Sequence, residues 1–195
     1  MCDVAEAVGL PVTVKMRSGW SAEEINCIEL ARRCEGEGAA AVALHPRTRA
    51  QGYSGAADWA LVAEMKQAVG VPVIASGDVT DPRTAKECFE RTGCDSIMIG
   101  RASLGDPGLI GRVRRYLMEG VEEPPPDGLA RLARARRHLR LHVEYAGEER
   151  GLPEMRGMLS RYSKGLPGAS AFRSMVNRAD SPEDVERLIG NMEDS

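Results

Sequence analysis

Apolar residues in the first hundred positions gather into four short runs: VTVKMR at 12–17, VALH at 42–45, VIASGD at 73–78 and IMIGR at 97–101. Each run stops at a polar residue or a glycine, and runs this short and rich in β-branched residues predict strands. Between them apolar residues return at three- and four-residue intervals, the spacing of helices. Ser21 with Glu24 has the pattern of a capping box ahead of Ile25, Ile28, Ala31 and Cys34, and Gly36 and Gly38 close that helix. Asp58 caps a helix carrying Leu61, Val62, Met65 and Val69, which Gly70 stops; Asp81 and Pro82 start another, bearing Ala85, Cys88 and Phe89 and closed by Gly93. Asp106 and Pro107 open a fourth, with Leu109, Ile110, Val113 and Leu117 inward and Gly120 at its end. Strict alternation of strand and helix is the rhythm of βα units in a parallel barrel, where chemistry sits at the carboxyl ends of the strands.

That rhythm ends at VEEPPPDG, residues 121–128, which cannot continue a helix and has the composition of a stiff linker. Beyond it strand signals stop. Residue 129 to about 148 reads as one arginine-rich helix, with further segments starting near Pro153, Ala169 and Ser181-Pro182. The expected division is a strand-and-helix part over 1–120, the linker, and a small helical bundle over 129–195. The opening residues, MCDVAEAVG at 1–9, read as the last two turns of a helix without its beginning.

The chain has 195 residues and a formal net charge of −3, yet its charge is lopsided. Residues 129–178 hold eleven Lys or Arg against four Asp or Glu, and the sequence turns acidic from Asp180 onward. On charge alone, a polyanion-facing surface and a solvated arginine-rich helix are both open readings. Arg156, Arg161, Lys164 and Arg173 are the candidate phosphate contacts of such a surface, while Tyr162 reads as core. No apolar run is long enough to cross a membrane and no secretory leader is evident, so a cytoplasmic protein is expected. The five cysteines, Cys2, Cys27, Cys34, Cys88 and Cys94, form no Cys-x-x-Cys pair, which argues against a disulfide framework and a zinc site. Cys94 reads as buried packing rather than a nucleophile. His138 and His142 lie one helical turn apart but lack a third ligand, so no metal site is assigned.

Candidate chemistry gathers where the strands end. Lys15, His45, Asp78 and Arg101 would converge on one mouth, with Arg47 and Arg49 adding positive charge. Gly77 and Gly100 end the last two strands, where the absence of a side chain lets backbone N–H groups approach a phosphate. Lys15 alternates to the same side as Thr13 and Arg17, facing a ligand. The shape implied is a phosphorylated, ring-bearing cofactor, although Ser76-Gly77-Asp78 also fits a plain turn with a helix cap.

These residues fall in longer stretches with a clear resemblance. PVTVKMRSGW at 11–20, LHPRTRAQGYSGAADW at 44–59, PVIASGDV at 72–79 and TGCDSIMIGRASLGDP at 92–107 resemble the flavin-dependent tRNA-dihydrouridine synthases, especially the bacterial B-type. HVEYAGEERG at 142–151 and YSKGLPGA at 162–169 continue the likeness. The resemblance implies an α/β fold made of the C-terminal half of a TIM (β/α)8 barrel, its last four strands, followed by a small all-helical tRNA-binding domain. It implies FMN contacted by Lys15 and His45 at the flavin and by Ser76, Gly77, Asp78, Gly100 and Arg101 at the phosphate. NADPH is the implied reductant and tRNA the implied partner, with the loop at 51–55 where RNA enters. Ser76 stands where the family usually has Asn, and Pro46 where it usually has Gly. The family's proton-donating cysteine has no counterpart, so no catalytic residue is assigned. The chain as given is expected to be inactive alone and to self-associate through an open half-barrel. Two rivals remain: another FMN-binding barrel oxidoreductase for a small molecule, and a non-catalytic RNA-binding remnant.

Overall fold

The computed structural model describes residues 7–194, so Cys2 and most of the helix end predicted at 1–9 lie outside the described residues. Those residues form two compact units, 7–100 with 111–121 and 101–110 with 122–194. The second unit thus takes in residues 101–110, which the sequence reading places with the strands.

The first unit is built on a parallel sheet of β1 (Thr13–Arg17), β2 (Ala41–His45), β3 (Val73–Ser76) and β4 (Ser96–Met98), in that order. Consecutive parallel neighbours require crossovers, supplied by α1 (Cys27–Gly36), α2 (Trp59–Ala68) and α3 (Pro82–Thr92). All five residues of β2 are buried because it has a strand on each side. Edge strand β1 alternates instead, Met16 being buried while Thr13 and Lys15 are exposed. Ala31 and Cys27 of α1, Val62 and Met65 of α2, and Ala85 and Cys88 of α3 close over Val42, Leu44, Val73 and Ala75 to make the core. Side chains fix the crossovers. Glu35 accepts from the amides of Gly70 and Val71 before β3, and Asp95 accepts from the Val73 amide while pairing with Lys66.

Among the crossover helices the capping signals were legible at α2 and α3 and misleading at α1. Asp58 accepts from the Ala60 amide at the start of α2, and Asp81 makes a reciprocal capping box with Thr84 at α3. At α1 the expected start is corrected from Ser21 to Cys27. Residues 20–24 fold into a turn in which the Trp20 amide donates to the Glu24 carbonyl, and the Ser21 hydroxyl donates to Glu23 instead of capping. The first amides of α1 are satisfied by the Ser18 carbonyl, which accepts from Asn26 and Cys27. α4 (Leu109–Glu119) follows Asp106-Pro107 as expected, the Leu109 amide donating to the Asp106 carbonyl.

The second unit holds α5 (Gly128–Ala146), α6 (Glu148–Tyr162), α7 (Ala169–Val176) and α8 (Pro182–Glu193). Leu132, Ala135 and Leu139 of α5 recur at helical spacing and meet Leu152, Met155, Leu159 and Tyr162 of α6, with Phe172, Val176, Val185 and Ile189 completing the core. A Cβ on Gly151 would stand 3.0 Å from the Val143 Cα, so glycine there permits the close approach of α5 and α6. α6 starts at Glu148, five residues before the expected Pro153, which therefore lies inside the helix. Burial of Leu152, Met155 and Leu159 offsets the one backbone bond that proline removes.

Candidate functional site

The carboxyl ends of β1, β2 and β3 bring a set of polar groups together. Parallel register places Arg17 of β1 directly beside His45 of β2, with Lys15 two residues back on the same side of the sheet. The Arg17 guanidinium donates to the carbonyls of Thr48 and Gly52, both at 2.9 Å, and lies over the Tyr53 ring at 5.6 Å from its centroid. Tyr53 meets the His45 ring edge-on, at a centroid separation of 6.2 Å.

His45 itself is buried, and its Nε2 has no hydrogen-bond partner within the protein. Burial, and then the positive charges of Arg17, Lys15 and Arg47, hold its imidazole below the ordinary histidine range. The ring is therefore neutral near pH 7 and leaves one nitrogen for an external group, a rare state for a buried polar atom. Gly77, the first residue after β3, packs against this ring. A Cβ built there would lie 3.3 Å from the imidazole and 3.2 Å from the Ala57 Cβ, and its φ of +129° is one that side-chain-bearing residues avoid. The Gly77 carbonyl accepts from the Trp59 indole at 3.1 Å, and Asp78 follows in the left-handed region at a φ of +56°.

The Asp78 carboxylate is engaged internally. It accepts from Arg47 at 2.8 and 2.7 Å and from the Ala57 amide at 2.7 Å. The Arg47 side chain is only 3% exposed, and it also donates to the carbonyls of Ser54 and Gly55. The Asp78 side chain thus holds protein to protein, which leaves the backbone of the turn as the surface a phosphate could meet. Ser76 is buried at the end of β3, and Lys15 is exposed. Gly100 follows β4, whereas Arg101 opens a short 3-10 turn, Arg101–Ser103, that belongs to the second unit. Arg17, Arg47 as an ion-pair partner, and Trp59 are the site residues the sequence reading did not single out. Arg17 had a signal, since it alternates with Lys15; the Arg47–Asp78 pair spans 31 residues and had none.

In the second unit four of the eleven Lys and Arg of residues 129–178 are paired with carboxylates of the same unit. Arg134 pairs with Asp106, Arg136 with Glu193, Arg140 with Glu186 and Arg150 with Glu154. The acidic tail noticed in the sequence therefore folds back onto α5. Of the four candidate phosphate contacts, Arg161 and Lys164 are exposed and Arg173 is half-buried. Arg156 is directed inward, donating to the Ala179 carbonyl at 3.1 Å, with its Nε buried. Tyr162 is core, as expected, and its hydroxyl meets His138 Nδ1 at 3.2 Å. His142 pairs with Glu154, and no cluster of three metal-ligating side chains occurs among the described residues. Cys94 is buried beside Cys88, whose thiol lowers the pKa of that of Cys94 to about 6. No helix of the described residues is long and apolar enough to cross a membrane.

With this geometry in place, comparison with known proteins adds a direction. Residues 2–193 match the family described as Dihydrouridine synthase (Dus). The chain is 42% identical over 184 residues to a probable tRNA-dihydrouridine synthase of Rickettsia bellii, covering 94% of this chain and 56% of that protein. It is 42% identical over 186 residues to probable tRNA-dihydrouridine synthase 1 of Synechocystis, covering 95% and 52%. The tRNA-dihydrouridine synthase B of Xanthomonas campestris is 41% identical over 184 residues, covering 92% and 54%. The chain spans about half the length of the curated relatives it matches.

Proposed function

Since the chain belongs to the dihydrouridine synthase family, we propose that it takes part in the FMN-dependent reduction of uridine to 5,6-dihydrouridine in tRNA, with NADPH as reductant. In this reading its four parallel strands are consecutive strands of a (β/α)8 barrel, and its helices contribute to gripping RNA.

The observation that carries the reading is His45 Nε2, buried and unpartnered beside the Gly77 turn. A buried polar atom left without a partner costs roughly 1–3 kcal/mol, so its retention fits a group that a ligand satisfies. The chain's residues fit FMN on the same grounds. His45, kept neutral, supplies one hydrogen-bonding nitrogen; Lys15 and Arg17 supply positive charge beside it; Ser76, Gly77, Gly100 and Arg101 are the proposed phosphate contacts. When bound, FMN supplies two-electron redox chemistry that no side chain provides. The protein's part is to bind and orient the cofactor and to hold an electropositive environment that favours a reduced, anionic ring. Arg161, Lys164 and Arg173 are the proposed RNA phosphate contacts. A uridine must leave its stack to reach such a site, which calls for RNA contacts outside the pocket.

Titrating FMN into the purified protein and following the quenching of flavin fluorescence tests the cofactor. Saturable binding that weakens in Lys15→Ala and His45→Ala is expected. Retention of an unmodified tRNA transcript on the same protein tests the substrate, and absence of both binding events would overturn the proposal.

A further inference from the structure

The Arg47–Asp78 pair joins two pieces of the site that the chain separates by 31 residues. On one side lies the loop 48–57, which has no regular secondary structure up to its last residue and presents Tyr53 with 61% of its surface exposed. On the other lies the left-handed turn of Gly77 and Asp78. A loop of this length would ordinarily move independently of the scaffold. Here its carbonyls are clamped on both sides of Tyr53, those of Thr48 and Gly52 by Arg17 and those of Ser54 and Gly55 by Arg47. Its far end is fastened to the turn by the Ala57 amide, which donates to Asp78, and by the Trp59 indole, which donates to Gly77.

We propose that Arg47 is a positioning residue of this site: donating from Nη2 to the Asp78 carboxylate and the Gly55 carbonyl and from Nε to the Ser54 carbonyl, it makes the Tyr53 loop and the Gly77 turn one rigid piece against the His45 ring. The proposal rests on the FMN reading for its ligand, but the rigidity it asserts is a property of the protein alone. Two features favour Arg over any other residue in this role. Its contacts are spread over two nitrogens, Nη2 to Asp78 and Gly55 and Nε to Ser54, which a single ammonium cannot reproduce, and its charge is buried beside the carboxylate that pairs with it. By linkage, a ligand that settles on the turn then also steadies the loop, and a contact on the loop strengthens ligand binding at the turn.

The test compares wild-type protein with Asp78→Asn, which keeps shape and removes charge, and with Arg47→Lys, which keeps charge and leaves a single donor nitrogen in place of two. Hydrogen exchange is measured on peptides covering 48–57, with β2 as internal control, without and with FMN. In both variants the loop amides should exchange about tenfold faster or more while β2 is unchanged, and FMN affinity should fall about five- to tenfold. The sign at Asp78 separates positioning from contact: a carboxylate facing a phosphate repels it, so Asp78→Asn would then tighten FMN. Wild-type loop protection in both variants, or a loosened loop with FMN affinity unchanged or increased, would overturn the proposal. If wild-type protein binds no FMN, the cofactor reading fails, and the exchange data still decide whether Arg47 fixes the loop.

Discussion

Gly77 shows how a single residue is constrained twice over. Its φ of +129° excludes most side chains, and the His45 ring and Ala57 stand where a Cβ would go. Gly77→Ala should cost about 1–3 kcal/mol of stability through backbone strain, measurable as a lower urea midpoint, and should weaken FMN binding at the same time. His45 makes a second prediction at this scale. Burial and the neighbouring cations depress its folded-state pKa, whereas the unfolded chain takes up the proton near pH 6.5. Stability from this source is therefore level above about pH 6.5 and declines as pH falls below it toward the folded-state value. His138 is depressed too, by burial and then by His142, so it adds to the same decline. Urea midpoints at neutral and mildly acidic pH should fall less in His45→Gln than in wild type; equal falls would show that His45 is not a source.

At the scale of elements, similar capping patterns met different fates. Asp81 and Ser21 each precede a helix pattern, but only Asp81 accepts a bond from the third helical residue, Thr84. Asp81→Ala should cost about 1 kcal/mol, while Ser21→Ala should stay within about 0.5 kcal/mol, both read from thermal or urea unfolding. The reason lies in the loop after β1. The amides of Arg49 and Ala50 donate to the carbonyls of Gly19 and Trp20, which ties residues 19–20 to the loop after β2 and delays α1 until Cys27. A local pattern yields where longer-range hydrogen bonds claim the same backbone.

Over the whole molecule, charge is where composition decides least. Eleven cations in residues 129–178 left a polyanion-facing surface and a solvated helix both open, and Glu186 and Glu193 of α8 fold back to meet Arg140 and Arg136. The remaining candidates are fewer and better defined. Neutralising Arg161, Lys164 and Arg173 together should weaken tRNA binding and reduce the slope of log affinity against log salt by roughly 0.7–0.9 for each lost phosphate contact. Arg156→Ala should instead lower the melting temperature and leave that slope unchanged, because its guanidinium serves the Ala179 carbonyl. Binding titrations at several salt concentrations separate the two classes, and equal slopes for wild type and the triple variant would show that these cations only solvate the helices.

The sequence by itself determined the alternation of four strands with helices, the switch to helices after the proline run, and the places of His45 and Gly77 at strand ends. Those features are local, since β-branched runs, helical spacing and turn residues act within a few positions of one another. Only the tertiary structure decided which charges are spent internally. Asp78, read as a phosphate contact, has its carboxylate engaged by Arg47 and Ala57, and Arg156, read as an RNA contact, turns inward to Ala179. Such pairings join residues tens of positions apart, and a charged side chain is equally at home in water or against a distant partner until the fold brings that partner within reach.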